Sequence, residues 1–220
     1  MISVREAAAL TRTMASLSAE TMKGRWLARG TTGDERFRAQ ARAQQMCAIR
    51  FCRASRLRVE VATPLPDVPG LIVGNHLGAW DGFALAATHP MAIAAKEEVD
   101  GYPIVGAMTR TFGVLLVPRG RPAEAGGFVD RVQARLRADV PVLVFPEGTT
   151  GDGVDLLPFK TGAFEAVADT RWPVLPVAHL PVAWGKRNTP VDAAMLNQLV
   201  WQDGQPTAAH MADLAARLPI

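Results

Sequence analysis

With 220 residues, 49% of them hydrophobic and 20% charged, the chain suits one α/β domain that buries a core on both faces of a sheet, and its composition excludes a disordered chain. The two cysteines, Cys47 and Cys52, have neither CxxC spacing nor a partner cluster, which argues against a disulfide framework or a zinc site and makes a reducing cytoplasm the default. The net charge of +3 is modest, no stretch reaches the ~18 apolar residues that span a bilayer, and the N-terminus lacks the apolar core of a signal peptide, so any membrane contact is peripheral.

Residues 1–56 read as helical, with a break near Gly30-Thr31-Thr32-Gly33 and Asp34 as a candidate N-cap for a second helix. In that second helix Phe37, Ala41, Ala48, Phe51 and Cys52 fall on one side. Seven arginines (36, 38, 42, 50, 53, 56 and 58) accompany them without one acidic residue between Arg36 and Arg58. A basic amphipathic helix of this kind fits two places: an anionic bilayer surface, or the face of a sheet with its arginines in water.

From residue 57 onward, brief apolar runs alternate with helical stretches. Leu57–Val61, Leu71–Val73, Met91–Ala95, Gly113–Val117, Val142–Phe145 and Val174–Ala178 are candidate strands. Helical stretches fall at about 79–88, 103–110, 122–138 and 159–169, from the apolar spacing between those runs. The alternation predicts a single α/β domain over 57–220, with a largely parallel or mixed sheet flanked by helices and the amphipathic helices of 1–56 at its N-terminal side. Residues 191–220 are weakly patterned.

Three of the strand ends carry polar clusters. After the first comes His76, with Asp81 five residues on, at what reads as a helix start. On an ideal helix five residues at about 100° each leave two side chains about 140° apart, so the pair meets only if His76 sits in the turn before the helix. Taken by itself, a lone histidine at a strand end is more often a satisfied structural residue. After Val117 comes Pro118-Arg119-Gly120-Arg121, and after Phe145 comes Pro146-Glu147-Gly148-Thr149-Thr150. At like ends of neighbouring parallel strands these clusters would converge on one cleft, where an arginine and a Gly-bearing turn with exposed amides suit a phosphate-bearing substrate.

The inventory of nucleophiles narrows the reaction. Serine occurs only at positions 3, 16, 18 and 55, there is no G-x-S-x-G elbow, and both cysteines lie in the N-terminal helix. What remains is a His-Asp pair in which His76 acts as general base on a substrate hydroxyl and Asp81 fixes its tautomer, the logic of direct acyl transfer. A metal needs more ligands than these two offer. Among the other histidines, His89 reads as a helix-end residue, His179 as a structural hydrogen-bond partner after a strand, and His210 as a surface helix residue. Trp80 reads as packing the loop in preference to lining the acyl site.

The residues also carry a resemblance. His76-Leu-Gly-Ala-Trp-Asp81 resembles the H-x4-D box of the lysophospholipid/glycerolipid acyltransferase family, and Phe145-Pro146-Glu147-Gly148-Thr149 its F-P-E-G-T box. Phe112–Arg119 is similar to the family's G-x-x-x-x-x-R box, Leu157-Pro158-Phe159-Lys160-Thr161-Gly162 to its L-P-F-K-x-G segment, and Trp172–Val177 to its V-P-V-x-P-V strand. The match spans about residues 65–180 in the family's order. The resemblance implies a 1-acylglycerol-3-phosphate O-acyltransferase or close relative, taking its acyl group from acyl-CoA or acyl carrier protein and needing no cofactor, metal or nucleic acid. It implies His76 as the base and Asp81 as its orienter. It further implies Arg119, Glu147, Gly148, Thr149 and Thr150 around the acceptor's head group, and Gly78 where the thioester approaches. Its N-terminal helices would sit on the bilayer, making the protein peripheral on the cytoplasmic face.

The sequence departs from the family at one informative place. The commonest form continues E-G-T with Arg and then Ser, whereas Thr150 and Gly151 follow here. The run Glu147–Gly153 followed by Leu157-Pro158-Phe159 resembles a subgroup containing lyso-ornithine-lipid O-acyltransferases, whose acceptor carries no phosphate, while Arg119 and Arg121 keep a phosphate acceptor in play. A lipid-binding protein on the same fold, without turnover, is a third reading. Chains of the family usually continue beyond the point where this one stops, which leaves the place of a terminal strand open.

Overall fold

The computed structural model describes residues 4–78, 80–118, 125–184 and 189–191. Two long helices, α1 (Val4–Leu27) and α2 (Gly33–Ala54), precede β1 (Leu71–Gly74), α3 (Trp80–Thr88), β2 (Ala92–Lys96), α4 (Pro103–Phe112), β3 (Leu115–Val117), α5 (Ala125–Arg137), β4 (Val142–Val144) and β5 (Val174–Val177). A 3-10 segment over Glu97–Gly101 leads into α4, and another over Thr161–Ala166 lies between β4 and β5. Ala183–Trp184 and Thr189–Pro190 form a small antiparallel ladder.

The five main strands pair in the order β3-β2-β4-β1-β5, all parallel. Leu71 stands beside Val142 on one flank and Val174 on the other, so β1 and β4 are neighbours near the middle of the sheet. Side chains alternate across a strand. Leu71, Val73, Val142 and Val144 face the layer of α5 and the second 3-10 segment, where Phe128, Val132, Leu136 and Ala166 are buried. Ile72 and Leu143 face the other way, onto Ala48 of α2 and Ala86 of α3.

This two-sided burial explains why the strand runs are continuously apolar rather than alternating. The chain leaves β1 by α3 on one face and leaves β4 by the 3-10 segment on the other. A crevice opens between adjacent parallel strands whose connections leave to opposite faces, at their carboxyl ends. β1 and β4 are such a pair.

The expected α/β class and five of the six candidate strands match the observed ones within a residue or two. Leu57–Val61 does not: it runs without regular structure, with Val59 and Val61 exposed. Among the described residues its alternation has no neighbouring strand to pair with, and an unpaired strand cannot satisfy its backbone.

The position of α2 selects between the two readings of its amphipathic pattern. Ala41, Ala48, Phe51 and Cys52 are buried within the protein, against the sheet and against α1, α3 and α4, while Arg36, Arg42, Arg50 and Arg53 are exposed. Its apolar side is thus core and not open to a bilayer. The exposed large apolar residues at this end are instead Met22, Trp26 and Leu27 of α1. No helix among the described residues is long and apolar enough to cross a membrane.

Candidate active site

Because every strand of the main sheet points the same way, the residues that follow each strand gather along one edge. β1 delivers Asn75 and His76 there, β4 delivers Phe145, Pro146 and Glu147, and β5 delivers His179. Asp81 arrives from the first turn of α3, which is fastened to α2 by a stack of aromatic rings: Phe51 lies 5.2 Å from Trp80 and 4.0 Å from Phe83. Trp80 is accordingly a packing residue.

His76 stands in the turn ahead of α3, and its Nδ1 lies 2.9 Å from Asp81 Oδ2. The same carboxylate oxygen accepts the backbone N–H of Leu77 at 2.6 Å and of Gly78 at 2.9 Å. Asp81 N in turn donates to Gly78 O at 3.2 Å, closing the turn on itself. Three donors converging on one oxygen hold the carboxylate in place. An acceptor facing Nδ1 puts the proton on that nitrogen and leaves the lone pair on Nε2. The side chain of His76 keeps 24% of its surface exposed against 9% for Asp81, so the imidazole faces outward and the carboxylate sits behind it.

The imidazole is also fixed from the side. The Phe145 ring stacks on it with centroids 4.2 Å apart and planes 13° from parallel. Asn75, one residue before the histidine, is clasped to the end of β5. Its Nδ2 donates to His179 O at 3.1 Å, and its Oδ1 accepts His179 N at 2.7 Å. His179 Nδ1 lies 3.1 Å from Asn75 O, so the structural hydrogen bonding expected of His179 is made to the residue next to His76.

Glu147 is held inside the protein by hydrogen bonds to the main chain. It is 4% exposed, and its two carboxylate oxygens are taken by the protein's own backbone: Oε1 accepts His76 N at 2.8 Å and Oε2 accepts Leu157 N at 3.0 Å. β4 lies beside β1, so a side chain at its end drops between the two turns instead of reaching outward. Glu147 ties the histidine turn to the loop beyond β4. A further bond, Gly151 N to His76 O at 2.8 Å, closes the same junction.

Gly148 and the half-buried Thr149 and Thr150 continue from Glu147 on this turn, with Gly148 at φ +70°. Gly78 is buried with its N–H committed to Asp81, so that amide is not presented to a thioester. Arg119, like Arg121, lies outside the described residues, as does His210. Among the described residues no group of three or more His, Cys, Asp or Glu side chains is arranged to hold a metal. Sequence reasoning missed the Phe145 stack and the Asn75 clasp. Nothing in the local pattern signals either, because both depend on which strands are neighbours.

This geometry stands within a chain that has recognisable relatives. The acyltransferase family model matches residues 56–180. A 1-acyl-sn-glycerol-3-phosphate acyltransferase of Neisseria gonorrhoeae is 33% identical over 122 residues, covering 54% of this chain and 48% of that protein. A lyso-ornithine lipid O-acyltransferase of Rhodobacter capsulatus is 38% identical over 97 residues, covering 44% of this chain and 35% of that protein. The chain therefore spans about half the length of the first relative and about a third of the second. The crystal structure of the 1-acyl-sn-glycerophosphate (LPA) acyltransferase PlsC from Thermotoga maritima superposes with a TM-score of 0.56 over 79% of this chain and 73% of that one. At 20% identity it shows the shared fold.

Proposed function

The chain belongs to the acyltransferase family, and from that premise we propose that it transfers a fatty acyl group from an acyl thioester to the hydroxyl of a lysolipid in membrane lipid synthesis. The observation that carries this reading is the 2.9 Å contact between His76 Nδ1 and Asp81 Oδ2, which leaves Nε2 as the free base of an outward-facing imidazole.

Nε2 of His76 takes the proton of the acceptor hydroxyl as its oxygen bonds to the thioester carbonyl carbon. The imidazolium so formed is stabilised by the Asp81 carboxylate. Collapse of the tetrahedral adduct breaks the carbon–sulfur bond, and the departing thiolate takes the proton back from His76. The products are an acylated lipid and a free thiol. No protein nucleophile enters, in keeping with the absence of serine and cysteine from this edge of the sheet.

Acyl-CoA and acyl carrier protein are the two donors, with no further cofactor. The acceptor is lysophosphatidic acid, giving phosphatidic acid, and the name of the Neisseria gonorrhoeae relative supports that choice. A second acceptor, lyso-ornithine lipid, is favoured by Thr150 in place of the arginine that follows E-G-T in the family's commonest form. The protein works on a bilayer surface, from its cytoplasmic face, with Met22, Trp26 and Leu27 of α1 as the contact.

The test is an acceptor screen. Purified protein with an acyl thioester releases thiol on addition of lysophosphatidic acid or lyso-ornithine lipid, and the acceptor with the larger kcat/KM is the substrate. Thioester binding without thiol release for any acceptor would instead make the chain a lipid-binding protein.

A further inference from the structure

The loop beyond β4 returns to the Glu147 turn and brings a cation with it. Leu157 N donates to Glu147 Oε2 at 3.0 Å and Lys160 N to Pro146 O at 2.8 Å, so residues 157–160 run alongside 146–148. A Cβ on Gly148 would stand 2.6 Å from Lys160 Nζ, which places the ammonium directly over the glycine's Cα. Gly148 thus answers two demands at once, a backbone at φ +70° and room for the lysine above it.

Lys160 is exposed, and among the described residues no carboxylate forms an ion pair with it. Two acids of this turn and loop are otherwise engaged. Both oxygens of Glu147 accept backbone amides, and Asp152 Oδ1 accepts Val154 N at 2.9 Å and Asp155 N at 3.2 Å. The same loop exposes Val154, Leu156 and Phe159. A cation beside apolar side chains, over the turn that carries Glu147, is the pattern that an amphiphile with an acidic head would meet.

We propose that Lys160 binds the oxyanion of the acceptor's head group over Gly148, supplying the positive charge that Thr150 does not. The proposal rests on the acyl-transfer reading of the site and narrows its acceptor to lipids bearing a phosphate or a carboxylate.

The experiment compares the wild-type chain with Lys160→Met and Lys160→Arg on three acceptors of equal acyl length: lysophosphatidic acid, lyso-ornithine lipid and uncharged monoacylglycerol. Lys160→Met is expected to raise the KM of the acidic acceptor by about tenfold or more, the effect of losing one charge-assisted hydrogen bond. Lys160→Arg retains most of the affinity, and the KM values of monoacylglycerol and thioester stay put. Whether lysophosphatidic acid or lyso-ornithine lipid shows the rise tells phosphate from carboxylate. An unchanged KM for both acidic lipids, or an equal rise for all three acceptors, overturns the proposal. If the wild type acylates none of them, the acyl-transfer reading fails, and calorimetric titration with lysophosphatidic acid judges the anion site alone. Binding lost in Lys160→Met upholds it, and equal binding in both rejects it.

Discussion

Glu147 Oε1 accepts the backbone N–H of His76 at 2.8 Å, across 71 positions of sequence. The residue that the motif pattern puts at the head group therefore holds the histidine's own main chain. Its second oxygen holds Leu157 N, so one buried carboxylate fixes both walls of the crevice between β1 and β4.

Replacing Glu147 with Gln separates these roles. One end of the amide would present N–H to a backbone N–H, leaving a buried donor unsatisfied at a cost of about 1–3 kcal/mol. At about 2–4 °C per kcal/mol for a chain of this size, thermal melting should show a Tm lower by roughly 2–12 °C, together with a lower kcat. A rise in acceptor KM at unchanged Tm would return Glu147 to the head group.

His76→Ala removes the base and is expected to lower kcat by roughly 10² to 10⁴, measured as thiol release under saturating thioester. Asp81→Asn should cost both rate and stability, because Asp81 Oδ2 accepts three donors at once. Equal turnover by wild type and His76→Ala would sink the mechanism.

Phe145→Leu keeps the apolar volume at the end of β4 but removes the ring that stacks on the imidazole at 4.2 Å. Aromatic stacking is worth about 0.5–1.5 kcal/mol, so a fall in kcat of roughly two- to tenfold is expected, with thioester KM unchanged. A kcat equal to that of the wild type would show that the Asp81 bond alone orients His76.

The two thiols should be silent in the folded protein. Burial pushes Cys47 up to about 12, with the Glu20 charge adding to the effect, and burial pushes Cys52 up to about 11. Iodoacetamide at about pH 8 should label neither until denaturant is added, since the thiolate is the reactive form. Their folded values lie above the ordinary 9.0, so their contribution to stability is complete below that pH. It is lost as pH rises from about 9 through about 12, because the unfolded thiols ionise first. The urea midpoint should accordingly fall less between about pH 8 and pH 10.5 in the double variant Cys47→Ala, Cys52→Ala than in the wild type.

In the proposed function, bilayer contact falls to α1. Met22 is 72% exposed and Trp26 69%, one helical turn apart, with Lys23, Arg25 and Arg29 beside them. Flotation with anionic liposomes should drop about tenfold in the double variant Met22→Glu, Trp26→Glu, as expected from losing the burial of two large apolar side chains and adding two negative charges. Unchanged flotation would move the contact elsewhere.

The sequence by itself determined the local features. Apolar runs bounded by Gly and Pro marked five of the strands, the Gly30–Gly33 break separated α1 from α2, and the five-residue spacing required His76 to precede α3. Each of these follows from the chain's nearest neighbours, and the two boxes could be read for the same reason. Only the tertiary structure decided what lies between the boxes. The strand order sets β4 beside β1, and from that pairing follow the inward turn of Glu147, the Phe145 ring on His76 and the return of Lys160 over Gly148. The side that α2 shows to solvent was also undecided in the pattern, since an apolar stripe reads the same against a sheet and against a bilayer. Contacts across 71 positions depend on which strands pair, and that is set by burial of the whole sheet on both faces, which no local window of residues contains.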